Sequence, residues 1–312
     1  MSKKIAIFGA ASHIAKGLIY NFIRENECRL FLFARFPEKV KEFLKLNSLK
    51  GKIDLVSFND FAHKEYDFII NCVGVGTPNK VRDNPSLIFS ITEKYDNMIL
   101  NYLSKFIKTG YINFSSGAVY GGSFKEAVGE FSGHNISLNN FDWQDYYGIA
   151  KINSEAKHRA EKGSNIVDIR VFAYFSRFVD LKAGYFLTDL IESIRQGNQF
   201  ITSSCDFVRD YLHHSDLFAL IKLIMARRPF NTALDAYSKK PISKFELLDY
   251  FSKNYGLKYR VDKNLNFSCP TGEKNFYYSN SRKAADLGYK PNYSSIDTVM
   301  KEASFILGKS NE

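Results

Sequence analysis

The 312-residue chain has few cysteines, and none of them are closely spaced. Closely spaced cysteines would indicate a metal site or a disulfide framework, and this spacing indicates neither. We therefore expect buried thiols in a reducing compartment. The four positions are Cys28, Cys72, Cys205 and Cys269.

The chain also lacks an apolar run of the roughly 18 residues that a membrane span needs. Its best candidate, IAIFGAASHIAKGLIY, is interrupted by Ser12, His13 and Lys16. This opening predicts a strand, a turn of small residues and a helix rather than a signal peptide. We expect a cytoplasmic protein without a membrane partner.

Although the net charge is +10, the sequence has no basic block. The lysines are spread along helix-like segments such as EKVKEFLKLNSLKGK, which is typical of a solvated surface. We therefore expect no nucleic-acid partner. An anionic metabolite stays compatible with this charge.

Short apolar strands alternate with helical segments over residues 1–175. Such alternation predicts a doubly wound parallel sheet covered on both faces, a Rossmann-like α/β domain. Residues 176–312 lack the regular alternation and predict a smaller α/β lobe, with chain crossings between the lobes allowed. In this lobe one helix is expected to be capped by Ser215 or Asp216, and another to run from a Ser243 cap to Gly256.

The first turn, FGAASHIAKG, places Gly9 after the first strand and small residues at the start of the helix. A dinucleotide pyrophosphate needs close backbone approach and free amides at a helix N-terminus. Tight turns after strands often use the same residues, so the pattern alone does not decide between the two. The cofactor contacts predicted here are Gly9, Ser12, His13 and Ile14.

Two further strand ends would meet the cofactor. The second strand ends at Arg35, whose guanidinium suits the extra phosphate of NADP, whereas an acidic residue would favour NAD. A surface arginine at a strand end is also common. The strand IINCVG would carry Asn71, Cys72 and Val73 past the cofactor, or it is simply a buried strand.

The segment INFSSGAVYGG places Ser115 and Ser116 at the carboxyl end of a strand, the edge where doubly wound sheets bind ligands. About 30 residues later, Tyr147 and Lys151 stand four apart and share one face of a helix. A phenol and an ammonium can then reach the same small volume. This combination is far more specific than a single serine that caps a turn.

These motifs resemble the extended short-chain dehydrogenase/reductase superfamily, in its NAD-dependent epimerase/dehydratase branch acting on nucleotide sugars. The similar segments run in order along nearly the whole chain. They are the turn with Gly9, Ser12 and Ala15, NCVG from Asn71, SSGAVYG from Ser115, YGIAK from Tyr147, Arg170, VRDYLHHSDL from Val208, and SRKAADLGYKP.

The resemblance implies that residues 1–175 bind the dinucleotide and that residues 176–312 mainly bind the substrate. It also implies a role for each matched residue. Tyr147 would be the general acid/base, Lys151 would favour its phenolate and hold the nicotinamide ribose, and Ser116 rather than Ser115 would hydrogen-bond the reacting oxygen. Arg209 would bind the diphosphate of the substrate. The remaining implied contacts are Phe172 with the cofactor, and Gly117 and Ala118 with the substrate.

The reaction is narrowed by one departure from the branch. Dehydratases carry an Asp-Glu pair where this chain has Gly117 and Ala118, so dehydration is disfavoured. Arg35 favours NADPH-dependent reduction of a nucleotide-linked 4-keto-6-deoxy sugar. A 4-epimerase with tightly bound NAD is the alternative. Two less favoured candidates are a 4-dehydrogenase working in the oxidative direction and a non-catalytic dinucleotide sensor. Further departures from the branch mark a divergent member. Ala173 stands where the branch usually has a substrate-binding asparagine, and Ser12 and Ala15 replace glycines in the first turn. The resemblance also implies surface-polysaccharide assembly and a homodimer.

Overall fold

The computed structural model describes residues 2–75, 85–121, 124–134, 136, 139–141, 143–227, 229–263 and 275–308. The helices are α1 (His13–Glu25), α2 (Pro37–Leu46), α3 (Ser86–Leu103), α4 (Trp143–Ala160), α5 (Phe186–Gln196), α6 (His214–Ala226), α7 (Lys244–Tyr255) and α8 (Ser295–Ile306). The larger strands are β1 (Lys3–Phe8), β2 (Cys28–Phe33), β3 (Ile53–Leu55), β4 (Phe68–Asn71), β5 (Gly110–Ser116) and β6 (Ile166–Val171). The later strands are β7 (Ala173–Tyr174), β8 (Phe200–Ser203), β9 (Val208–Arg209), β10 (Tyr211–Leu212), β11 (Asn231–Asp235), β12 (Ile242–Ser243), β13 (Tyr259–Asp262) and β14 (Phe276–Tyr277).

A seven-stranded sheet organises the molecule in the order β11-β6-β5-β4-β1-β2-β3. Every neighbouring pair in it is parallel. The strand order reverses between β1 and β4, which creates the crevice where such sheets bind dinucleotides. The predicted doubly wound parallel sheet is therefore confirmed.

The sheet is covered on both faces because its strands are apolar on both faces. Ile5 and Ile7 of β1 pack with α1, α2 and α6 on one side. Ala6 and Phe8 pack with α3 on the other. This alternation buries the central strands on both faces.

The C-terminal lobe has its own apolar core, formed between α5, α7 and α8 and the short strands around them. The chain does not stay in this lobe, since β11 returns to pair with β6 at the edge of the main sheet. A three-stranded sheet in the order β12-β9-β14 completes the lobe and brings Arg209 beside Tyr277.

Local signals explain where the lobe helices begin and end. Ser243 caps α7 and forms a capping box with Glu246, and Gly256 ends the helix in the left-handed region, as predicted. The prediction for α6 was wrong. Its cap is His213, whose ring accepts a hydrogen bond from the Ser215 N–H, so the cap lies two or three residues before the expected one.

A buried ion pair fastens α8 to the lobe. Glu302 accepts hydrogen bonds from Arg177, at 2.7 and 3.0 Å, and lies 3.2 Å from the His213 ring. Burial alone would raise the pKa of the Glu302 carboxyl, but the hydrogen bonds from Arg177 and His213 hold it well below its usual range. His214, although close enough to share a metal with these groups, has its Nδ1 directed at the Asn21 amide. The cluster is therefore built as an ion pair.

The prediction of buried thiols is wrong for the three cysteines that the structure describes. Cys205 is exposed rather than buried, and Cys28 and Cys72 are half-buried; Cys269 lies outside the described residues.

Among the helices that the structure describes, none combines the length and apolarity of a membrane span.

Candidate active site

The turn between β1 and α1 lies at the carboxyl edge of the sheet. Gly9 has a φ of +71°, and a Cβ there would come within 2.9 Å of the Cys72 carbonyl group. Only glycine tolerates both conditions. Ser12 caps α1, accepting a long hydrogen bond of 3.4 Å from Ala15 N. The turn is thus tight enough to hold the helix start against the end of β4.

The first turn of α1 suits an anion. Among the described residues, no group accepts a hydrogen bond from the N–H of His13 or Ile14, and free amides at a helix N-terminus are what a phosphate binds. Burial lowers the pKa of His13 to about 3, and its Nε2 lies 2.8 Å from Ser176 Oγ. The His13 ring is therefore neutral, and the attraction for an anion comes from the helix itself.

The ends of β2 and β4 flank this turn. Arg35 follows β2, is exposed, and lies with its guanidinium carbon 4.7 Å from the centre of the Phe36 ring. At the end of β4, Asn71 accepts a hydrogen bond from Val73 N, which curls the chain after the strand. Burial raises the pKa of the Cys72 thiol, against the opposing charge of Lys151. Lys151 therefore lies close to this strand end.

Ser116 ends β5 and is buried. Its hydroxyl accepts a hydrogen bond from Ala118 N at 3.2 Å and lies 3.1 Å from the hydroxyl of Tyr277. Gly117, the next residue, has no room for a Cβ, because the ring of Phe172 would be 2.4 Å away. Phe172 is thus part of the wall that supports the Ser116 turn.

Helix α4 brings Tyr147 and Lys151 to the same edge. It lies very close to the Ser116 turn, since a Cβ on Gly148 would be 2.6 Å from the carbonyl oxygen of Ala118. Lys151 is buried, donates a hydrogen bond of 2.8 Å to the carbonyl of Phe114, and lies 5.8 Å from the centre of the Tyr147 ring. Tyr147 itself is half-buried.

Ser115 has a different environment from Ser116, because neighbouring side chains of a strand point to opposite faces. Its hydroxyl donates to Glu155 Oε1 at 2.6 Å, and the same carboxylate forms an ion pair with Arg170. Arg170 also donates to Tyr120. Ser115 is therefore held in a polar network beneath α4, whereas Ser116 faces Tyr277.

Arg209 lies across the crevice in the C-terminal lobe. It is half-buried, donates to the carbonyl of Val208, and its guanidinium carbon is 4.4 Å from the centre of the Phe207 ring and 5.8 Å from that of Tyr277. The ring of Tyr277 thus lies between Arg209 and Ser116. The sequence analysis missed Tyr277, because no nearby motif marks a residue 161 positions from its hydrogen-bond partner.

The structure brings most of the predicted residues to one edge of the sheet. Ser116 lies at the end of β5, and Tyr147 and Lys151 lie on α4. The turn between β1 and α1 lies beside the end of β4, and Arg209 lies in the C-terminal lobe. Arg35 follows the end of β2, which the β1–α1 turn contacts through a hydrogen bond of 3.0 Å from Ala10 N to the Phe33 carbonyl. A phenol, a hydroxyl and an ammonium beside a helix N-terminus can support proton exchange at a bound dinucleotide.

The chain is similar to known proteins in sequence and in fold. Residues 5–235 match the model of the NAD dependent epimerase/dehydratase family. A search of curated protein sequences finds no match to this chain.

Solved structures with the same fold span the whole chain. The UDP-glucose 4-epimerase of Thermotoga maritima is 17% identical, with a TM-score of 0.80 over 98% of this chain and 99% of that one. The UDP-glucuronic acid 4-epimerase of Bacillus cereus, solved with UDP-glucuronic acid and NAD, is 16% identical, with a TM-score of 0.77 over 98% and 100%. The dTDP-glucose 4,6-dehydratase of Bacillus anthracis, solved with NAD, is 12% identical, with a TM-score of 0.79 over 98% and 97%.

Proposed function

The chain belongs to the NAD-dependent epimerase/dehydratase family of enzymes, and on that premise we propose that it oxidises or reduces a carbon of a nucleotide sugar. The observation that carries the proposal is the placement of Ser116, Tyr147 and Lys151 at the carboxyl edge of the parallel sheet. The free amides at the start of α1 support a dinucleotide pyrophosphate beside them.

Each side chain has a defined task in this proposal. The nicotinamide, when bound, supplies the exchange of hydride with the sugar carbon. Tyr147 exchanges a proton with the oxygen on that carbon, and Ser116 donates a hydrogen bond to the same oxygen. Lys151 uses one of its three N–H groups on the Phe114 carbonyl, and the others serve the phenol and the nicotinamide ribose.

The opposite lobe binds the nucleotide part of the substrate. Arg209 presents a planar guanidinium that suits phosphate oxygens, and the Phe207 ring beneath it limits its orientation. Tyr277 lies between this arginine and Ser116, so it contacts the sugar that joins the diphosphate to the reacting carbon. The substrate class is a nucleoside diphosphate sugar.

Reduction of a 4-keto-6-deoxy sugar with NADPH is the reaction we favour. The residues between β2 and α2 are Ala34, Arg35 and Phe36, and none offers a carboxylate to the ribose hydroxyls of NAD. Arg35 is exposed and stacked on Phe36, which is a suitable posture for a 2′-phosphate.

A 4-epimerase with NAD is the second candidate. Two solved structures of the same fold are a UDP-glucose 4-epimerase and a UDP-glucuronic acid 4-epimerase, the latter with NAD bound. A homodimer and a cytoplasmic location stay predictions.

One assay separates the two reactions. Purified protein is first analysed by mass spectrometry for a copurified dinucleotide, then incubated with nucleotide-linked 4-keto sugars, with and without NADPH. A reductase turns over only with NADPH and consumes it in equal amounts. An epimerase acts on the corresponding 4-hydroxy nucleotide sugars without added reductant. If the protein binds NADPH but turns over neither the 4-keto sugars with NADPH nor the 4-hydroxy sugars without it, the result would support the non-catalytic dinucleotide sensor instead.

The assignment of Tyr147 is tested by Tyr147→Phe. Loss of the phenolic proton is expected to lower turnover by about 10²- to 10⁴-fold, while the dissociation constant of the cofactor stays within twofold. Tyr146→Phe is the matched control, because Tyr146 is the adjacent phenol and packs against Phe89 instead. Equal turnover in both variants would remove Tyr147 from the mechanism.

A further inference from the structure

Lys244 is a lysine in an unusual place. It is 1% exposed, at the first turn of α7, inside the C-terminal lobe. Burial lowers the pKa of its ammonium. A buried ammonium is costly unless its hydrogens are bonded, whereas a methionine of similar size would fill the same space without that cost. The presence of a lysine here is therefore explained by the main-chain carbonyls that accept its hydrogen bonds.

Lys244 holds the segment of residues 203–207, called the 203–207 loop below, which runs from the last residue of β8 to the start of β9. Its Nζ donates to the carbonyl of Ser203 at 2.7 Å and also to the carbonyl of Cys205. Its main-chain N–H donates to the carbonyl of Phe207 at 2.8 Å and lies 3.1 Å from Asp206 Oδ1. One residue thus contacts four of the five residues of the loop.

The loop in turn determines how Arg209 is presented. Three carbonyls of the loop are directed at Lys244, and the ring of Phe207 lies under the Arg209 guanidinium, 4.4 Å from its carbon. The strand pairing of Arg209 with Ile242 and of Val208 with Ser243 joins the two residues that follow the loop to the two residues just before Lys244.

We propose that Lys244 is a positioning residue for nucleotide-sugar binding: by holding the carbonyls of the 203–207 loop it fixes Phe207, and through Phe207 the direction of the Arg209 guanidinium. The inference rests on the proposed role of Arg209 in binding the diphosphate. The Lys244 side chain donates to carbonyls of the loop and makes no hydrogen bond to Ser116, Tyr147 or Lys151, so we expect its loss to act on substrate affinity rather than on the chemical step.

The test is Lys244→Met, which keeps the volume and the main-chain N–H but removes the side-chain donors to the carbonyls of Ser203 and Cys205. Binding of UDP, dTDP and GDP is measured by calorimetry, and binding of NADPH and NAD is measured alongside. For the nucleoside diphosphate that binds the wild type best, we expect the dissociation constant to rise about tenfold, which corresponds to about 1.4 kcal/mol. The cofactor constants stay within twofold, and in turnover assays KM rises while kcat is kept.

Lys253→Met is the control, because Lys253 lies on the same helix with its side chain 71% exposed and paired with Asp249. It should leave every constant unchanged. Asp206→Ala is the second variant, since it removes a loop contact to the Lys244 N–H without emptying the core. We expect it to weaken the same nucleotide about threefold, so the loop can be tested even where Lys244→Met does not fold.

The outcomes separate the inference from its premise. Unchanged nucleotide affinity in both loop variants, with a wild type that binds the nucleotide, overturns the role of Lys244 and leaves the proposed function standing. A loss of kcat without a change in KM also overturns it, since that pattern belongs to a general structural defect. A wild type that binds none of the three nucleoside diphosphates overturns the premise about Arg209 as well.

Discussion

The close approach of α4 to the Ser116 turn gives a prediction of measurable size. Gly148 follows Tyr147 on α4, and a Cβ added to it would lie 2.6 Å from the carbonyl oxygen of Ala118. Ordinary contacts begin at 3.4 Å, so Gly148→Ala forces the helix and the turn apart by about 0.8 Å. The turn begins at Ser116, so the hydroxyl and the phenol lose their relative placement.

Stability and activity respond differently to this change. Alanine is favoured over glycine inside a helix by about 1 kcal/mol, whereas overpacking costs about 1–3 kcal/mol. The two effects partly cancel, and the free energy of unfolding falls by about 0–2 kcal/mol. Catalysis has no such compensation. A misplacement of about 1 Å at reacting groups can cost 10²-fold, so we expect kcat to fall by about 10- to 100-fold.

The measurement compares kcat at saturating substrate and cofactor with a urea unfolding curve for each variant. Gly129→Ala is the control, because a Cβ on Gly129 meets nothing within 4 Å and its φ is not positive. The control should match the wild type in kcat. A folded Gly148→Ala enzyme with kcat within twofold of wild type would refute the reasoning, because α4 would then be free to move without affecting the site.

Two further predictions concern the cofactor and pH. Arg35→Asp should weaken NADPH at least tenfold and shift preference toward NAD, because a charge-assisted hydrogen bond contributes about 1.5–3 kcal/mol; an unchanged preference ratio relative to Lys41→Asp would contradict it. Burial alone would lower the pKa of His158, but hydrogen bonds and charge from Asp168 and Asp96 raise it to about 9. The folded pKa is above the unfolded one, so this stabilisation is complete below about pH 6.5 and is lost as pH rises through about 9, a decrease of up to about 3 kcal/mol. Urea unfolding at pH 6.5, 8 and 9.5 checks this, and a constant midpoint would contradict it.

The parts of the fold that follow from local pattern were predictable. Strict alternation of apolar strands and helices predicted the parallel sheet. Ser243 with Glu246 three residues later, and Gly256 at the end, bounded α7 because capping chemistry depends on neighbours in sequence. Gly9 was predicted for its backbone, and the structure adds the reason that a Cβ would meet Cys72.

The parts that depend on distant partners were not predictable. His213 was overlooked as the cap of α6 because serine and aspartate are the usual caps, and the pattern offered Ser215 and Asp216, two and three positions later. The return of β11 to the main sheet has no signal in its own five residues. His158 occurs on the helix of Tyr147 as an ordinary polar residue, and only folding places it between Asp96 and Asp168.

Tyr277 shows how such a distant partner can set the chemistry of Ser116. A serine hydroxyl has one hydrogen to donate and two lone pairs that accept. Ala118 N–H already occupies one lone pair. Only if Tyr277 donates to the other lone pair does the serine hydrogen stay available for the substrate oxygen. The Arg209 guanidinium near the face of the Tyr277 ring favours that direction, because a nearby cation makes the phenol a better donor and a poorer acceptor. Arg209, which we propose binds the diphosphate, and the Ser116 hydroxyl are thus connected through one phenol.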